Sequence, residues 1–265
     1  MTNSEATVQV HQHGAVSTAT LSRPDVRNAF NERTVAELTA WAAEVGRGFE
    51  RGEVRVAVLA GAGTTFCAGA EIGWMARMRT YSFEDNVRDA EAMAAMFEAL
   101  DTLPVPLIGR IQGAALGGGA GLCAVCDVVV AEEGAMFGFT EVRLGIVPAV
   151  IAPYAVAKLG VSAARELFLT GARFDAARAR ALGLVHAVVP ATQLDTTVER
   201  YVHDALLGAP SAIALTKSLV RQVAGRTPAD VRELTTRTIA EQRVSPDGRE
   251  GLDAFLAKRK PAWTK

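Results

Sequence analysis

Two glycine-rich loops are the first feature of this sequence that could do chemistry. They cover residues 65–75 and 112–121, and each directly follows an apolar segment typical of a buried strand. The second contains three successive glycines, Gly117 to Gly119, at the expected start of a helix. The first N–H groups of a helix have no intrahelical acceptor and lie at the positive end of its dipole. The glycines therefore predict an anion site, although tight packing of a helix on a sheet would require the same residues.

A single carboxylate, Glu141, lies in an apolar stretch downstream of both loops. Phe139 precedes it and Leu144 follows it closely. Apolar neighbours exclude water from a carboxylate and raise its pKa, which suits general acid–base catalysis. An ion pair between Glu141 and Arg143 is the alternative interpretation of the same residues.

Other reactive groups give weaker signals. Cys123 and Cys126 have CxxC spacing, but their segment is otherwise apolar and has no second ligand pair, so we interpret them as buried thiols rather than a metal or redox site. The histidines lie outside both loops. The sequence contains no Gly-x-Ser-x-Gly, Gly-x-Gly-x-x-Gly or Gly-Lys-Ser/Thr motif, which disfavours a serine triad, a Rossmann dinucleotide site and a P-loop.

Composition indicates an ordinary globular protein. Of 265 residues, 49% are hydrophobic and 22% are charged, and the formal net charge is −1. This balance, with no basic run longer than residues 258–260, does not indicate a general nucleic-acid surface. The polar N-terminus lacks a signal-peptide pattern and no apolar stretch has the length of a membrane span, so we expect a cytoplasmic protein.

Strand and helix patterns alternate along most of the chain. The expected strands are short and apolar or alternating, and they cover residues 8–11, 15–21, 54–60, 107–111 and 127–131. Asn31 and Ser82 are placed to cap helices. Strands that alternate with helices predict an α/β core with parallel pairing. From about residue 201 onward the pattern is helical, with start signals at Ser211, Thr227 and Ser245.

Four motifs occur in a fixed order from the first strand toward the middle of the chain. They are Arg23-Pro-Asp-Val-Arg-Asn-Ala-Phe-Asn31, Phe66-Cys-Ala-Gly-Ala-Glu71, Gly117-Gly-Gly119 with Cys126-Asp127, and Phe137-Gly-Phe-Thr-Glu-Val-Arg-Leu-Gly-Ile-Val-Pro148. With them the chain resembles the crotonase (enoyl-CoA hydratase/isomerase) superfamily. The resemblance implies a spiral of ββα units over residues 1–200 and a helical C-terminal region over residues 201–265 that serves trimerisation or covers the CoA site. It also implies a homotrimer or hexamer.

The resemblance assigns roles to individual residues. In that superfamily two peptide N–H groups bind the thioester oxygen of an acyl-CoA, and the matching catalytic donors are Ala70 and Gly118, with Glu141 as the acid–base residue. Glu71 matches a position that usually shapes the loop. The positions matched to substrate or CoA binding are Arg27, Ala68, Ala70, Glu71, Ile72, Gly117, Gly118 and Gly121. No metal or separate cofactor is implied, because coenzyme A is part of the substrate.

One position departs from the family pattern. The family's hydratases carry two glutamates; the second matches Glu141, but the first falls on Gly121, which has no side chain to polarise water. The surrounding motifs resemble most closely the bacterial methylglutaconyl-CoA hydratases of leucine breakdown. This implies addition of water to a 2-enoyl-CoA. A glutaconyl-type substrate would need a cation for its distal carboxylate, and Arg77 and Arg79 are candidates because they follow Ala70 and Glu71 closely in sequence.

Two other functions remain open from the sequence. A Δ3,Δ2-enoyl-CoA isomerase needs only one carboxylate to move a proton between carbons, which Glu141 alone could do. Some relatives of the superfamily bind AU-rich RNA. The net charge of −1 and the absence of a mixed aromatic and basic tract disfavour this binding role.

Overall fold

The structure, a computed structural model, describes residues 6–264. Its strands are β1 (Val8–His13), β2 (Val16–Leu21), β3 (Val56–Gly61), β4 (Leu107–Ile111), β5 (Ala114–Leu116), β6 (Val128–Glu132), β7 (Met136–Gly138), β8 (Arg173–Asp175) and β9 (Ala187–Val189). Its α-helices are α1 (Glu32–Glu50), α2 (Ile72–Met78), α3 (Phe83–Asp101), α4 (Gly118–Val125), α5 (Ala152–Thr170), α6 (Ala176–Ala181), α7 (Leu194–Leu206), α8 (Pro210–Val223), α9 (Arg232–Val244) and α10 (Pro246–Leu256). A 3-10 helix covers Glu141–Leu144.

Two sheets organise these elements. The larger has the order β1-β2-β3-β4-β6-β9, and the smaller has the order β5-β7-β8. In the larger sheet β1 and β2 form an antiparallel hairpin, and every other neighbouring pair is parallel. The predicted α/β core with parallel pairing is therefore confirmed. The smaller sheet was not predicted, because strands of three residues are too short to show a periodic pattern.

Apolar layers cover both faces of the larger sheet. On one face, buried side chains of α1, α3 and α4 form the main core. On the other face, Val56, Val58 and Ile108 pack against Leu194 and Val198 of α7. Because β3 is buried on both faces, its sequence is a continuous apolar run rather than an alternating one.

Local capping signals determine where the first long helices begin. The Oδ1 of Asn31 accepts the N–H of Thr34 at 3.2 Å, which starts α1. Ser82 and Asp85 form a reciprocal capping box at the start of α3. Both predicted caps are confirmed. These two helices pack against each other below the sheet.

The C-terminal helices differ in detail from the sequence prediction. They begin with α7 at Leu194, so residue 201 lies within a helix. Ser245 caps α10 as expected, since its Oγ accepts the N–H of Gly248 at 3.0 Å. The expected helix start at Thr227 is wrong: the Thr227 side chain bonds to Asp230 in a turn, and α9 begins later, at Arg232. Within residues 6–264 no helix is both long and apolar enough to cross a membrane.

Arg55 attaches the C-terminal helices to the core. Its Nη1 donates to the carbonyl of Trp263 at 2.6 Å, and its Nη2 donates to the carbonyls of Leu206 and Gly208 at 2.7 Å. Arg55 immediately precedes β3, so one guanidinium links the centre of the sheet to both ends of the C-terminal region. Arg55 thereby joins the segments on either side of helices α8 to α10 to the sheet.

Candidate active site

The loop after β3 is held in place by backbone pairing with β5. The N–H of Cys67 donates to the carbonyl of Ala114 at 2.9 Å, and the N–H of Leu116 donates to the carbonyl of Cys67 at 3.0 Å. A Cβ on Gly69 would lie 3.0 Å from the carbonyl oxygen of Leu116, which is closer than ordinary van der Waals contact, so the two segments pack backbone against backbone. The first glycine-rich loop is thereby brought against the strand that leads into the second.

The same loop leaves one peptide N–H without an acceptor. Phe30 donates its N–H to the carbonyl of Gly69 and accepts the N–H of Glu71, both at 2.9 Å. In this parallel bridge the intervening residue, Ala70, directs its own N–H away from Phe30. No acceptor for the Ala70 N–H is present within residues 6–264. Ala70 therefore presents a free donor at the position that the sequence analysis assigned to it.

The second glycine-rich loop supplies another free donor. Gly117 has φ +52° and ψ −122°, a conformation that only glycine adopts readily, and its N–H donates to the carbonyl of Gly138 at 2.8 Å. Gly118 opens α4, and its N–H has no acceptor among the described residues. A Cβ on Gly119 would lie 2.5 Å from the carbonyl oxygen of Cys67. Close approach of the two loops thus requires glycine, and the same turn exposes a helix N-terminus.

Glu141 lies beside this turn. Its Oε1 is 3.3 Å from the point where a Cβ on Gly117 would be. Its Oε2 is buried and accepts no hydrogen bond from the part of the chain that the structure describes. Burial raises the pKa of the Glu141 carboxyl, as expected for a carboxylate that loses hydration. The site therefore combines two free N–H donors with one poorly solvated carboxyl group.

The alternative pairing of Glu141 with Arg143 is wrong. The Arg143 side chain lies against the C-terminal end of α5, where a Cβ on Gly171 would be 3.0 Å from its Cγ and Nε. No ion pair joins Glu141 to a cation of residues 6–264. Because the 3-10 helix turns by roughly a third of a circle per residue, residues two apart in it point in different directions.

Gly121 lies in a fully packed environment. A Cβ on it would be 2.4 Å from Cγ2 of Ile151 and 3.2 Å from the ring of Phe97. The space that a glutamate side chain would need is therefore filled by Ile151, which directly precedes α5, and by Phe97 of α3. Although the resemblance matched Gly121 to the substrate site, the structure places this residue in the buried packing of α4.

Glu71 joins the loop to residues near the start of α1 through hydrogen bonds. Its Oε2 accepts hydrogen bonds from Arg23 at 2.9 Å and from Asn31 at 2.8 Å. The hydrogen bond from Arg23 is the main cause that lowers the pKa of the Glu71 carboxyl. These contacts agree with the expected loop-shaping role and leave no proton for Glu71 to exchange at neutral pH.

Two of the remaining matched positions flank the loop that carries Ala70. Arg27 is exposed and has φ +53°, and its carbonyl accepts the N–H of Ala68 at 3.0 Å. Ile72, directly after the loop, is 78% exposed. An exposed cation and an exposed apolar side chain therefore border the loop that carries Ala70.

Sequence reasoning did not assign a role to Asn28. This residue is 2% exposed with φ +53°, and its Nδ2 donates to the carbonyls of Ala62 and Thr65. Asparagine tolerates the left-handed region better than other non-glycine residues. Asn28 thus supports the loop that leads to Ala70. Its place within the first family motif was the available signal.

The cysteines are buried thiols, as the sequence indicated. Burial raises the pKa of Cys67 and Cys126 to about 12, and the pKa of Cys123 is raised as well. A thiol with so high a pKa is neither a nucleophile nor a ready metal ligand at neutral pH. No group of His, Cys, Asp and Glu side chains within residues 6–264 is arranged to hold a metal ion.

Comparison with known proteins agrees with this geometry. The sequence model of the enoyl-CoA hydratase/isomerase family matches residues 11–265. A crystal structure of an enoyl-CoA hydratase from Shewanella pealeana is similar over 97% of this chain and 96% of its own, with TM-score 0.93 and 35% identity. That of Pseudomonas aeruginosa AtuE is similar over 98% and 100%, with TM-score 0.92 and 38% identity. The enoyl-CoA isomerase/hydratase fer4 of Mycosarcoma maydis is 32% identical over 79% of this chain and 76% of its own. The chain is an enzyme of the crotonase superfamily and belongs to its enoyl-CoA hydratase/isomerase family.

Proposed function

We propose that this protein is an enoyl-CoA hydratase that adds water to a 2-enoyl-CoA through an enolate held by two backbone N–H groups. The observation that carries the proposal is the position of the Glu141 carboxyl beside Gly117, at the helix N-terminus where Gly118 presents a free donor. Named hydratases among the similar proteins support the same reaction class.

The oxyanion hole consists of Ala70 and Gly118. Addition of water at C3 of the enoyl thioester places negative charge on the thioester oxygen. Two preorganised N–H donors stabilise that charge, and the dipole of α4 adds to the effect of Gly118. Removal of one such donor typically costs about 10²–10³-fold in turnover. Because these donors are peptide groups, the reaction needs no metal or separate cofactor, and coenzyme A enters only as part of the substrate.

Glu141 serves as the proton carrier. As a carboxylate it takes a proton from water while the water oxygen bonds to C3. The resulting carboxylic acid then gives that proton to C2 of the enolate, so atoms and charge balance. The raised pKa of Glu141 suits both steps. It makes the carboxylate a stronger base toward water, and it keeps the carboxylic acid protonated until C2 of the enolate accepts the proton.

Isomerisation of a 3-enoyl-CoA is the second candidate. The buried packing at Gly121 leaves Glu141 as the one acid–base carboxylate of the proposed site. A single carboxylate can take a proton from C2 and return it to C4 without water. The combined isomerase/hydratase name of the Mycosarcoma maydis relative also favours testing both reactions.

A methylglutaconyl-type acyl group is our proposed substrate class. It rests on the motif resemblance and on two arginines, Arg77 and Arg79, that follow the Ala70 loop closely in sequence. Arg77 is less suitable than the sequence suggested, because its Nη2 already binds both carboxylate oxygens of Glu32 at 2.7 and 2.8 Å. Arg79 is exposed, and no ion pair joins it to another residue of the described chain. We therefore assign the distal carboxylate to Arg79.

The CoA arm is assigned to the mouth of the site. Ala68, Ala70, Glu71 and Ile72 would flank the pantetheine, and the exposed Arg27 would approach the nucleotide phosphates. Arg27 is next to the loop, since its carbonyl accepts a hydrogen bond from the N–H of Ala68. A guanidinium is well suited to phosphate oxygens.

A homotrimer or hexamer is our proposed assembly in a cytoplasmic enzyme. The C-terminal helix α10 supports association, because Leu252, Phe255 and Leu256 are 53%, 80% and 77% exposed in the single chain. Large apolar side chains clustered on one exposed face mark interaction surfaces. Light scattering coupled to size-exclusion chromatography measures the assembly directly; a monomer at micromolar concentration would contradict it.

The reaction is tested with a panel of acyl-CoA esters. Crotonyl-CoA, a methylglutaconyl-type ester and a 3-enoyl-CoA are incubated with the enzyme, and products are separated by chromatography. We expect rapid hydration, with the dicarboxylic ester preferred. Fast isomerisation of the 3-enoyl ester with negligible hydration of every 2-enoyl ester would select the isomerase instead.

A further inference from the structure

Phe30 lies against both glycine-rich loops, which carry the Ala70 and Gly118 N–H donors, although its side chain has no reactive group. Its backbone forms a parallel bridge with Ala70, through the carbonyl of Gly69 and the N–H of Glu71, each at 2.9 Å. These two bonds determine the orientation of the peptide planes on either side of Ala70. The direction of the Ala70 N–H therefore depends on where the Phe30 backbone lies.

The ring of the same residue contacts the other donor. A Cβ on Gly118 would lie only 2.3 Å from Cζ and 2.6 Å from Cε1 of Phe30, so the ring tip rests directly on the Gly118 α-carbon. The ring is 5.9 Å from that of Trp74, measured between centroids. Trp74 is buried and donates its Nε1–H to Asp89 at 3.2 Å. Phe30 is itself 2% exposed, and its ring is held between Gly118 and Trp74.

We propose that Phe30 is the positioning residue that couples the two donors of the oxyanion hole, holding Ala70 through its backbone and Gly118 through its ring. The inference rests on the proposed function. One rigid residue in contact with both loops keeps the two N–H groups at a fixed separation. Loss of the ring would let the first turn of α4 shift toward the vacated space while the Ala70 loop stays paired.

Loss of the Phe30 ring should weaken stabilisation of the transition state more than binding of the substrate. A donor displaced by about 1 Å can lower turnover by about 10²-fold, because hydrogen bonds to a developing oxyanion depend steeply on geometry. Binding of the CoA arm depends on other residues and changes less. Phe30→Ala should therefore lower kcat by about 10–10²-fold with a smaller change in KM. Phe30→Leu, which keeps an apolar side chain of intermediate length, should retain part of the rate.

The direct readout is polarisation of a bound thioester carbonyl. Butyryl-CoA isotopically labelled at the thioester carbon binds without being hydrated, because it has no double bond. Infrared difference spectra then give the carbonyl frequency free and bound for the full-length wild type, Phe30→Ala, Phe30→Leu and the control Phe49→Leu. Phe49 packs on the same core but lies at the C-terminal end of α1, whereas Phe30 lies just before the N-terminal end of that helix. Melting temperatures and butyryl-CoA affinities are measured in parallel.

We expect a large downshift of the carbonyl frequency in wild type and Phe49→Leu, a smaller one in Phe30→Leu and the smallest in Phe30→Ala. An unchanged bound frequency in both Phe30 variants, whatever their stability and rate, would overturn the positioning role. Phe30→Leu alone decides the matter if Phe30→Ala does not fold. A wild-type enzyme that binds butyryl-CoA with no downshift would instead refute the oxyanion hole of the proposed function, and this inference with it.

Discussion

Ile151 occupies the place where a side chain on Gly121 would lie, with its Cγ2 2.4 Å from the corresponding Cβ. This contact joins the first turn of α4 to the residue that precedes α5. The contact leaves no space for a side chain at position 121, and the residue that fills the space is apolar. In the proposed hydration, Glu141 therefore acts without a second carboxylate from position 121.

Gly121→Ala should destabilise the protein by about 1–3 kcal/mol, because the added methyl overpacks a filled core. Urea unfolding followed by circular dichroism measures the change. Gly46→Ala is the matched control: Gly46 is also helical, and no atom lies within 4 Å of its added Cβ. The control should gain about 0.5–1 kcal/mol from helix propensity.

In a double-mutant cycle, Ile151→Ala should offset much of the cost of Gly121→Ala. Additive effects would show that the contact is not responsible.

Glu141→Gln should reduce turnover by at least about 10²–10⁴-fold while CoA-ester binding stays close to that of the wild type. Glutamine preserves the shape and removes the proton carrier. Steady-state kinetics and calorimetric binding separate the two effects. In the wild type, the rising limb of kcat/KM with pH should lie above the ordinary range of glutamate, because burial raises the pKa of Glu141. A variant with a nearly normal rate would make Glu141 structural.

The same raised pKa has a consequence for stability. Between the unfolded and folded pKa values of Glu141, the folded state holds a proton that the unfolded state has lost. The free energy of unfolding of the wild type therefore falls as pH rises through this window. Glu141→Gln has no such proton, so its stability relative to wild type should increase through the same window and remain higher at neutral pH. Equal pH profiles in urea titrations would contradict a raised pKa.

Deletion of the Gly118 N–H should cost at least about 10²-fold in turnover. Gly118→Pro is unsuitable, because its Cβ would also collide with Phe30. An amide-to-ester replacement at residue 118 removes the donor without adding atoms. The ester at Gly134 is the control, since this exposed turn residue also has no acceptor for its N–H within the described chain. If both esters retain the full hydration rate, Gly118 is not an oxyanion donor.

Arg79→Met should raise KM for a methylglutaconyl-type ester by about 10-fold or more and leave KM for crotonyl-CoA nearly unchanged, because a charged hydrogen bond is lost only with the dicarboxylic substrate. Arg77→Met should affect both esters alike, since its guanidinium is engaged with Glu32. The measurement is a two-substrate comparison for each variant. Equal effects of Arg79→Met on both esters would remove Arg79 from the acyl site.

Arg55→Met should cost at least about 1.5–3 kcal/mol, because its guanidinium bonds three carbonyls that anchor the C-terminal region. Hydrogen exchange should rise first in α8 and in the segment around Trp263. Arg51→Met is the control: among residues 6–264, Arg51 forms ion pairs with the exposed Glu44 and Glu53, so its loss should change stability much less. Similar losses for both variants would argue against an anchoring role of Arg55.

The sequence alone determined the features that depend on near neighbours. The caps at Asn31 and Ser82 and the run of glycines where α4 begins involve residues close together along the chain. Their physical signals, such as a side-chain acceptor three residues before a free N–H, are therefore visible as spacing. The order of the motifs was sufficient to indicate the family and its α/β fold.

Tertiary structure alone decided which groups remain unpaired. Ala70 and Gly118 are free donors only because Phe30 takes the neighbouring peptide groups and the helix begins where it does. Arg77 is bound to Glu32, 45 residues away, and Ile151 closes the space at Gly121, 30 residues away. Such contacts join residues far apart in the chain, and no local spacing encodes them. Whether a donor, a cation or a small residue is available to a substrate is a property of the packed chain.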